Sequence, residues 1–104
     1  PNRMIYYNIT VNVEQEIAHE WLSWVKHHFL GLFLDTNCFA DAKILKLLNE
    51  VEGNTGVTFA LQFECLSMGT LNTFLTNHAQ HIQQIHYDRY KGQHVMFQTL
   101  LQEV

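Results

Sequence analysis

Charge is what this chain of 104 residues has least of: Asp, Glu, Lys and Arg make up 15% of it, against 47% hydrophobic residues. That balance excludes a disordered chain, which would be poor in apolar residues. A small body with so little charge implies that part of its surface is covered by another chain. An oligomer is expected. Lys and Arg number six, thinly spread, and the formal net charge is -4, so no basic stripe exists to neutralise phosphates and no nucleic-acid partner is expected. No apolar run reaches the length of a membrane span, and no charged segment followed by an apolar one marks a leader. A cytoplasmic protein without a membrane partner is the expectation. The two cysteines, Cys38 and Cys65, form no CxxC pair and suit buried apolar positions better than a disulfide framework. A GxSxG nucleophile motif and a strand-to-helix phosphate loop are both missing. No cofactor is expected.

What is present is alternation. In Gly56 to Leu66, Val57, Phe59, Leu61, Phe63 and Cys65 alternate with Thr58, Ala60, Gln62, Glu64 and Leu66, and a period of two sends the two sets to opposite faces of a strand. Met4 to Val13 repeats the pattern, with Ile5, Tyr7, Ile9, Val11 and Val13 set against Tyr6, Asn8, Thr10 and Asn12. Each strand has one wholly apolar face, which needs a cover. Glu14 to about Leu34 changes to spacings of three and four, with Ile17, Trp21, Trp24, Val25, His28 and Leu32 on one arc of a helix. Asp35 to Asp41 reads as a loop.

Lys43 to Val51 fits a helical stripe as well as a strand, but the Gly53, Asn54 and Gly56 that follow compose a hairpin loop. A hairpin needs a strand before it, so a strand is predicted there. Ser67 is a good N-cap for a second helix carrying Leu71, Phe74, Leu75, His78, Ile82 and Ile85, with Gly92 as its stop. Val95, Phe97, Thr99 and Leu101 open a last strand. The order βαββαβ predicts a single α+β domain over 1–104, with residues 1–3 as a tail or expression remnant. Its fold would be ferredoxin-like, a four-stranded antiparallel sheet with two helices on one face.

The face left without helices would carry Tyr6, Asn8, Thr10 and Asn12 beside Thr58, Ala60, Gln62 and Glu64. It holds fewer Lys and Glu than a solvated face normally does. Two such sheets stacking into a closed homodimer would account for that, with a cavity between them for a small molecule. Tyr6, Asn8, Gln62 and Glu64 are the candidate ligand contacts on it. The seven histidines do not form a metal site, because His78 and His81 lie one turn apart while His86 points about 140° away from His81. His28 and His78 sit near the centres of the two apolar arcs. They are predicted to be buried and neutral, and they complete the list of candidate site residues.

Beyond these patterns the chain resembles a family of small bacterial proteins of about this length, a domain of unknown function with a dimeric ferredoxin-like α+β fold. The resemblance runs from Met4 to Val104. It rests on Ile5-Tyr6, Glu20-Trp21 with Trp24 and His28, Phe39, Leu47-Leu48-Asn49-Glu50, Gly56-Val57-Thr58 with Gln62, and Ser67-Met68. Its most specific part is His78-Ala79, His86, Arg89-Tyr90, Gly92, Val95, Phe97 and Thr99-Leu100-Leu101. It implies a cytoplasmic protein of this fold, of the dimeric α+β barrel type, and brings no catalytic residue with it. Two departures stand out. Phe29-Leu30 follow His28 where the family commonly has an aliphatic residue and a proline, which alters the helix end. Gly69-Thr70 replace an acidic pair after Ser67-Met68, which weakens the expected capping.

Two functional readings follow. One is a homodimeric binding or structural module with a small-ligand cavity between the sheets. The other, by analogy of fold alone, is a small-molecule enzyme similar to cofactor-independent monooxygenases.

Overall fold

The computed structural model describes residues 3–50 and 52–104. Four strands form one antiparallel sheet: β1 (Ile5–Glu14), β2 (Asp41–Lys46), β3 (Gly56–Cys65) and β4 (His94–Gln102), in the order β2-β3-β1-β4. The β-branched, alternating segments therefore occupy the two central positions. Ile5, Tyr7, Ile9, Val11 and Val13 pair across to Cys65, Phe63, Leu61, Phe59 and Val57. All are buried but Val57, which is half-buried and packs against the core. Cys38 and Cys65 are buried free thiols, and the Cys65 thiol donates to the Cys38 carbonyl at 3.3 Å.

The strand predicted over Lys43 to Val51 forms, but it begins at Asp41 and ends at Lys46; Val51 lies outside the described residues. The early end has a visible cause. Leu47 N–H still donates to Thr58 O at 2.9 Å, but the Thr58 N–H is taken by Glu50 Oε1, also at 2.9 Å, so a side chain stands where the ladder would continue.

Between β1 and β2 runs a helical limb made of a 3-10 turn (Gln15–Ile17), α1 (Ala18–Trp24), a π turn (Val25–Phe29) and α2 (Leu30–Leu34). Trp21, Val25, Phe29 and Phe33 are all fully buried at a strict spacing of four. In a regular α-helix that stripe would drift by 40° at each step, and the wider π turn takes up the drift. The result corrects the predicted arc: His28 turns out to solvent and Leu32 is only half-buried. The energetics favour this phase, since burying a phenyl ring contributes up to about 3 kcal/mol while burying an imidazole costs hydration. With no proline after Phe29 the limb continues to Leu34.

The second limb is likewise two pieces, α3 (Met68–Asn77) and α4 (Ala79–Arg89), broken at His78, where φ is -130°. Ser67 caps α3 as predicted, its hydroxyl accepting from Thr70 N–H at 3.1 Å, and Thr70 Oγ1 lies 2.9 Å from the same oxygen. The break shifts the buried set to Leu71, Phe74, Ala79, Ile82, His86 and Tyr90. His78, expected in the core, is half-buried at the kink. The helix ends at Arg89, before Gly92, which takes φ of +77° in the turn into β4. The predicted pair of continuous helices is thus a pair of broken limbs on one face of the sheet.

Gly56 opens β3 opposite Glu14, where a Cβ would lie 2.6 Å from Val13 O and closer still to the Asn12 side chain. Backbone cannot yield there cheaply. Gly56→Ala should cost roughly 1–3 kcal/mol by overpacking, read as a lower urea midpoint with unchanged slope; a wild-type midpoint would show that β1 and β3 do not approach this closely.

Candidate functional site

The sheet registers place four of the six predicted site residues in one patch on the face without helices. Tyr6 pairs with Glu64 and Asn8 with Gln62 across β1 and β3. Beyond them on β4, Leu101, Thr99, Phe97 and Val95 stand beside Tyr6, Asn8, Thr10 and Asn12. On the other side β2 adds Asp41, Lys43 and Leu45 beside Glu64, Gln62 and Ala60. The charged residues of this face, Asp41, Lys43 and Glu64, therefore gather toward one end, and Leu45, Phe97 and Val95 toward the other. Phe97 and Val95 are 56% and 69% exposed, a large apolar exposure for a chain this short.

Two clefts open on the patch. One, of about 320 Å³, is lined by Tyr6, Lys43, Gln62, Leu101, Gln102 and Glu103; the other, of about 310 Å³, by Thr10, Asn12, Asn54, Thr58, Val95 and Phe97. Neither lining contains a histidine. Loss of hydration, followed by the carboxylates of Glu103 and Glu64, pushes the Tyr6 phenol above its ordinary range. At neutral pH Tyr6 is thus a hydrogen-bond donor rather than a base. In the second cleft Asn12 Nδ2 donates to Thr58 Oγ1 at 3.0 Å and to Asn54 Oδ1 at 3.2 Å, so its amide groups are fixed in place.

His28 and His78 do not join this patch. His28 is exposed on the first limb beside Trp24, with ring centroids 5.7 Å apart, and His78 stands 6.2 Å from Phe74 on the second. Both are on the helical layer, and the helical phase resets described above explain why neither is a core residue.

The histidine that is buried is His86, an assignment the helical arcs missed. It is fully enclosed among Trp21, Trp24, Phe29, Tyr90 and His94. Trp21 Nε1 donates to His86 Nε2 at 2.8 Å, so the proton of the neutral ring sits on Nδ1, which has no partner. The His94 ring lies perpendicular to it at 4.7 Å and donates from Nδ1 to the Tyr90 carbonyl at 2.7 Å. Burial, and secondarily the neighbouring His94, lower the His86 pKa to about 4. The available signal was the four-residue spacing of Ile82, His86 and Tyr90, which fits a helix restarted at Ala79.

Around this core the two limbs are tied at the surface. Arg89 Nη2 donates to Glu20 Oε1 at 2.9 Å, Tyr90 Oη to Glu20 Oε2 at 2.8 Å, and the guanidinium lies 5.1 Å over the Trp24 ring. The Tyr90 and Arg89 hydrogen bonds hold the Glu20 carboxyl below the usual carboxylate range. With about half of each side chain in solvent, the ion pair contributes at most about 1 kcal/mol. Among the described residues no three His, Cys, Asp or Glu side chains converge where a metal ion could sit. Nor is any helix among them long and apolar enough to cross a membrane.

A four-stranded antiparallel sheet with helices on one face puts the protein in the α+β class, and its solved neighbours share that architecture. An ethyl tert-butyl ether d (ethd) family protein from Bacillus halodurans aligns with a TM-score of 0.70 at 9% identity, over 96% of this chain and 99% of its own. A dimeric ferredoxin-like protein from an uncultured marine organism aligns with a TM-score of 0.61 at 6% identity, over 98% and 96%. The de novo designed protein Foldit4 aligns with a TM-score of 0.60 at 9% identity, over 97% and 99%. Identities this low carry the fold alone. The chain belongs to the family Domain of unknown function (DUF4286), which it matches over residues 4–104. No curated protein matches it.

His86 gives the fold a pH dependence whose sign is fixed. Its folded pKa of about 4 lies below the ordinary 6.5, so the unfolded chain binds the proton more readily. The contribution is complete above pH 6.5 and is lost as pH falls toward 4. Roughly 3 kcal/mol should disappear across that window, measured as urea midpoints at successive pH values. His86→Phe should flatten this part of the curve while lowering the midpoint at pH 7, because Trp21 N–H loses its acceptor, a cost of about 1–3 kcal/mol. An equally steep profile in the variant would assign the effect elsewhere.

Proposed function

We propose that the protein is a homodimeric small-molecule-binding module whose two sheets stack through the faces that carry no helices. The observation that carries this reading is the composition of that face. Half-buried amides and hydroxyls (Asn12, Thr10, Thr58, Gln62) lie beside exposed Leu45, Val95, Phe97 and Leu101, with charge confined to one end. A face in permanent contact with water would not expose so much apolar surface, and stacking a second sheet about 10 Å above it would remove that surface from solvent. The likeness in fold to a dimeric ferredoxin-like protein supports the same arrangement.

Stacking would roof both clefts and turn them into enclosed pockets of the kind that hold small ligands. The pocket at Tyr6 would offer a phenol donor, the Gln62 carboxamide and the Lys43 ammonium, a set suited to a small polar molecule with an acceptor or anionic group. Glu64 at the rim would disfavour a second negative charge. Purified protein examined by native mass spectrometry should retain such a molecule on the dimer.

Gln62→Lys tests the face directly. It places a second ammonium opposite Lys43 in the middle of the proposed contact, where like charges stripped of water repel. Sedimentation velocity should show monomer for the variant, with a wild-type circular dichroism spectrum; a dimer as strong as the wild type's would rule this face out as the contact.

A further inference from the structure

β4 is an edge of the sheet, and the ladder beside it fixes which of its backbone groups are free. Gln93 O accepts from Glu14 N–H at 3.2 Å, and Glu103 N–H donates to Met4 O at 3.0 Å, so the odd-numbered residues between them bond inward to β1. The N–H and C=O groups of His94, Met96, Gln98, Leu100 and Gln102 therefore point outward in the plane of the sheet. No hydrogen bond among the described residues reaches them. The two edges differ in how they are protected. β2, at the other edge, has 6 residues and carries Asp41, Lys43 and Lys46, charges of the kind that keep an edge from pairing. β4 runs for 9 residues, His94–Gln102, without an Asp, Glu, Lys, Arg or Pro.

Beside this edge, on the helical side, lies a furrow of about 430 Å³. Gln80, Gln84 and Tyr87 line it from α4, and His94, Met96 and Gln98 from β4; no Asp, Glu, Lys or Arg lines it. An edge strand with a helix alongside is the setting in which an extended peptide adds to a sheet, its backbone bonding to the edge and alternate side chains entering the groove. The pleat sets the chemistry of such a segment. Side chains turned toward α4 would meet carboxamides and a phenol, which suit Ser, Thr, Asn or Gln. Those turned the other way would stand beside exposed Val95, Phe97 and Leu101, which suit Val, Ile or Phe. A charge on either side would lose water and find no partner. The β4 of a second copy fits less well, because its own α4 stands over its His94 and Met96. Pairing the two edges would set furrow against furrow and fill neither. We infer that the β4 edge and its furrow take up an extended, uncharged segment of another protein, alternating apolar and hydroxyl or amide residues, as a fifth strand. The inference is independent of the dimer proposed above, since the edge groups point along the sheet and not out of its open face.

Amide hydrogen exchange on 15N-labelled protein tests this residue by residue. The probe is a capped peptide of Thr-Val repeats, about six residues long as an ordinary strand is, with a Lys pair at each end for solubility. A control peptide of the same charge has proline in place of every Val, which removes alternate N–H donors. In the free protein the amides of Met96, Gln98 and Leu100 should exchange quickly while those of Val95, Phe97, Thr99 and Leu101 are held by β1. Millimolar probe should slow the first set at least tenfold, and the control peptide should not. Gln98→Pro removes an outward N–H without touching the β1 ladder; with a wild-type circular dichroism spectrum it should bind the probe at least tenfold more weakly. Unchanged exchange at Met96, Gln98 and Leu100 with the probe present, or equal slowing by the control, would overturn the inference. Slow exchange at these three amides in the free protein, together with a sedimenting mass that grows with concentration, would give the edge to a second copy and overturn it as well.

Discussion

The pleat of β1 is the constraint from which the rest of the structure follows. Ile5, Tyr7, Ile9, Val11 and Val13 must leave water together, and with β3 aligned beside them they make an apolar floor that both helical limbs are needed to cover. The same geometry commits Tyr6, Asn8, Thr10 and Asn12 to the other side. A one-residue slip would exchange the two sets and expose the whole core. The register therefore fixes the identity of the open face as firmly as it fixes the core.

The limbs answer to that floor and not to an ideal helix. The π turn at Val25–Phe29 and the break at His78 each alter the helical phase so that Phe29 and Phe33, and then Ile82, His86 and Tyr90, face inward. The price is one buried imidazole. Trp21 satisfies one of its nitrogens, and its other nitrogen and its lowered pKa record the residual cost of excluding water. Glu20, Arg89 and Tyr90 close the gap between the limbs at the surface. Packing density decides the phase and polar contacts adapt to it.

This division explains what could be read from the residues alone. Alternation in a strand has no adjustable phase, so the facing of Tyr6, Asn8, Gln62 and Glu64, and the neighbourhood of β1 and β3, were legible. The segment read as a strand over Lys43 to Val51 is one only as far as Lys46, because Glu50 folding back on Thr58 ends it earlier than alternation could show. Helical facing depends on accumulated rotation, and one extra residue in a turn is enough to move His28 from core to solvent. Hence both histidines chosen from the arcs miss the core and His86 takes the place. What occupies the clefts is not written in the residue pattern, because their polar groups fit several small molecules.

The central claim is that the side of β1 turned away from the helices meets a second copy of the chain. Small-angle scattering on wild-type protein, over a dilution series at neutral pH, tests it without altering a residue. Forward scattering should correspond to twice the 12.2 kDa chain, with a radius of gyration above the 14.0 Å of the single chain. A particle of one chain's mass and radius at every concentration would contradict the account.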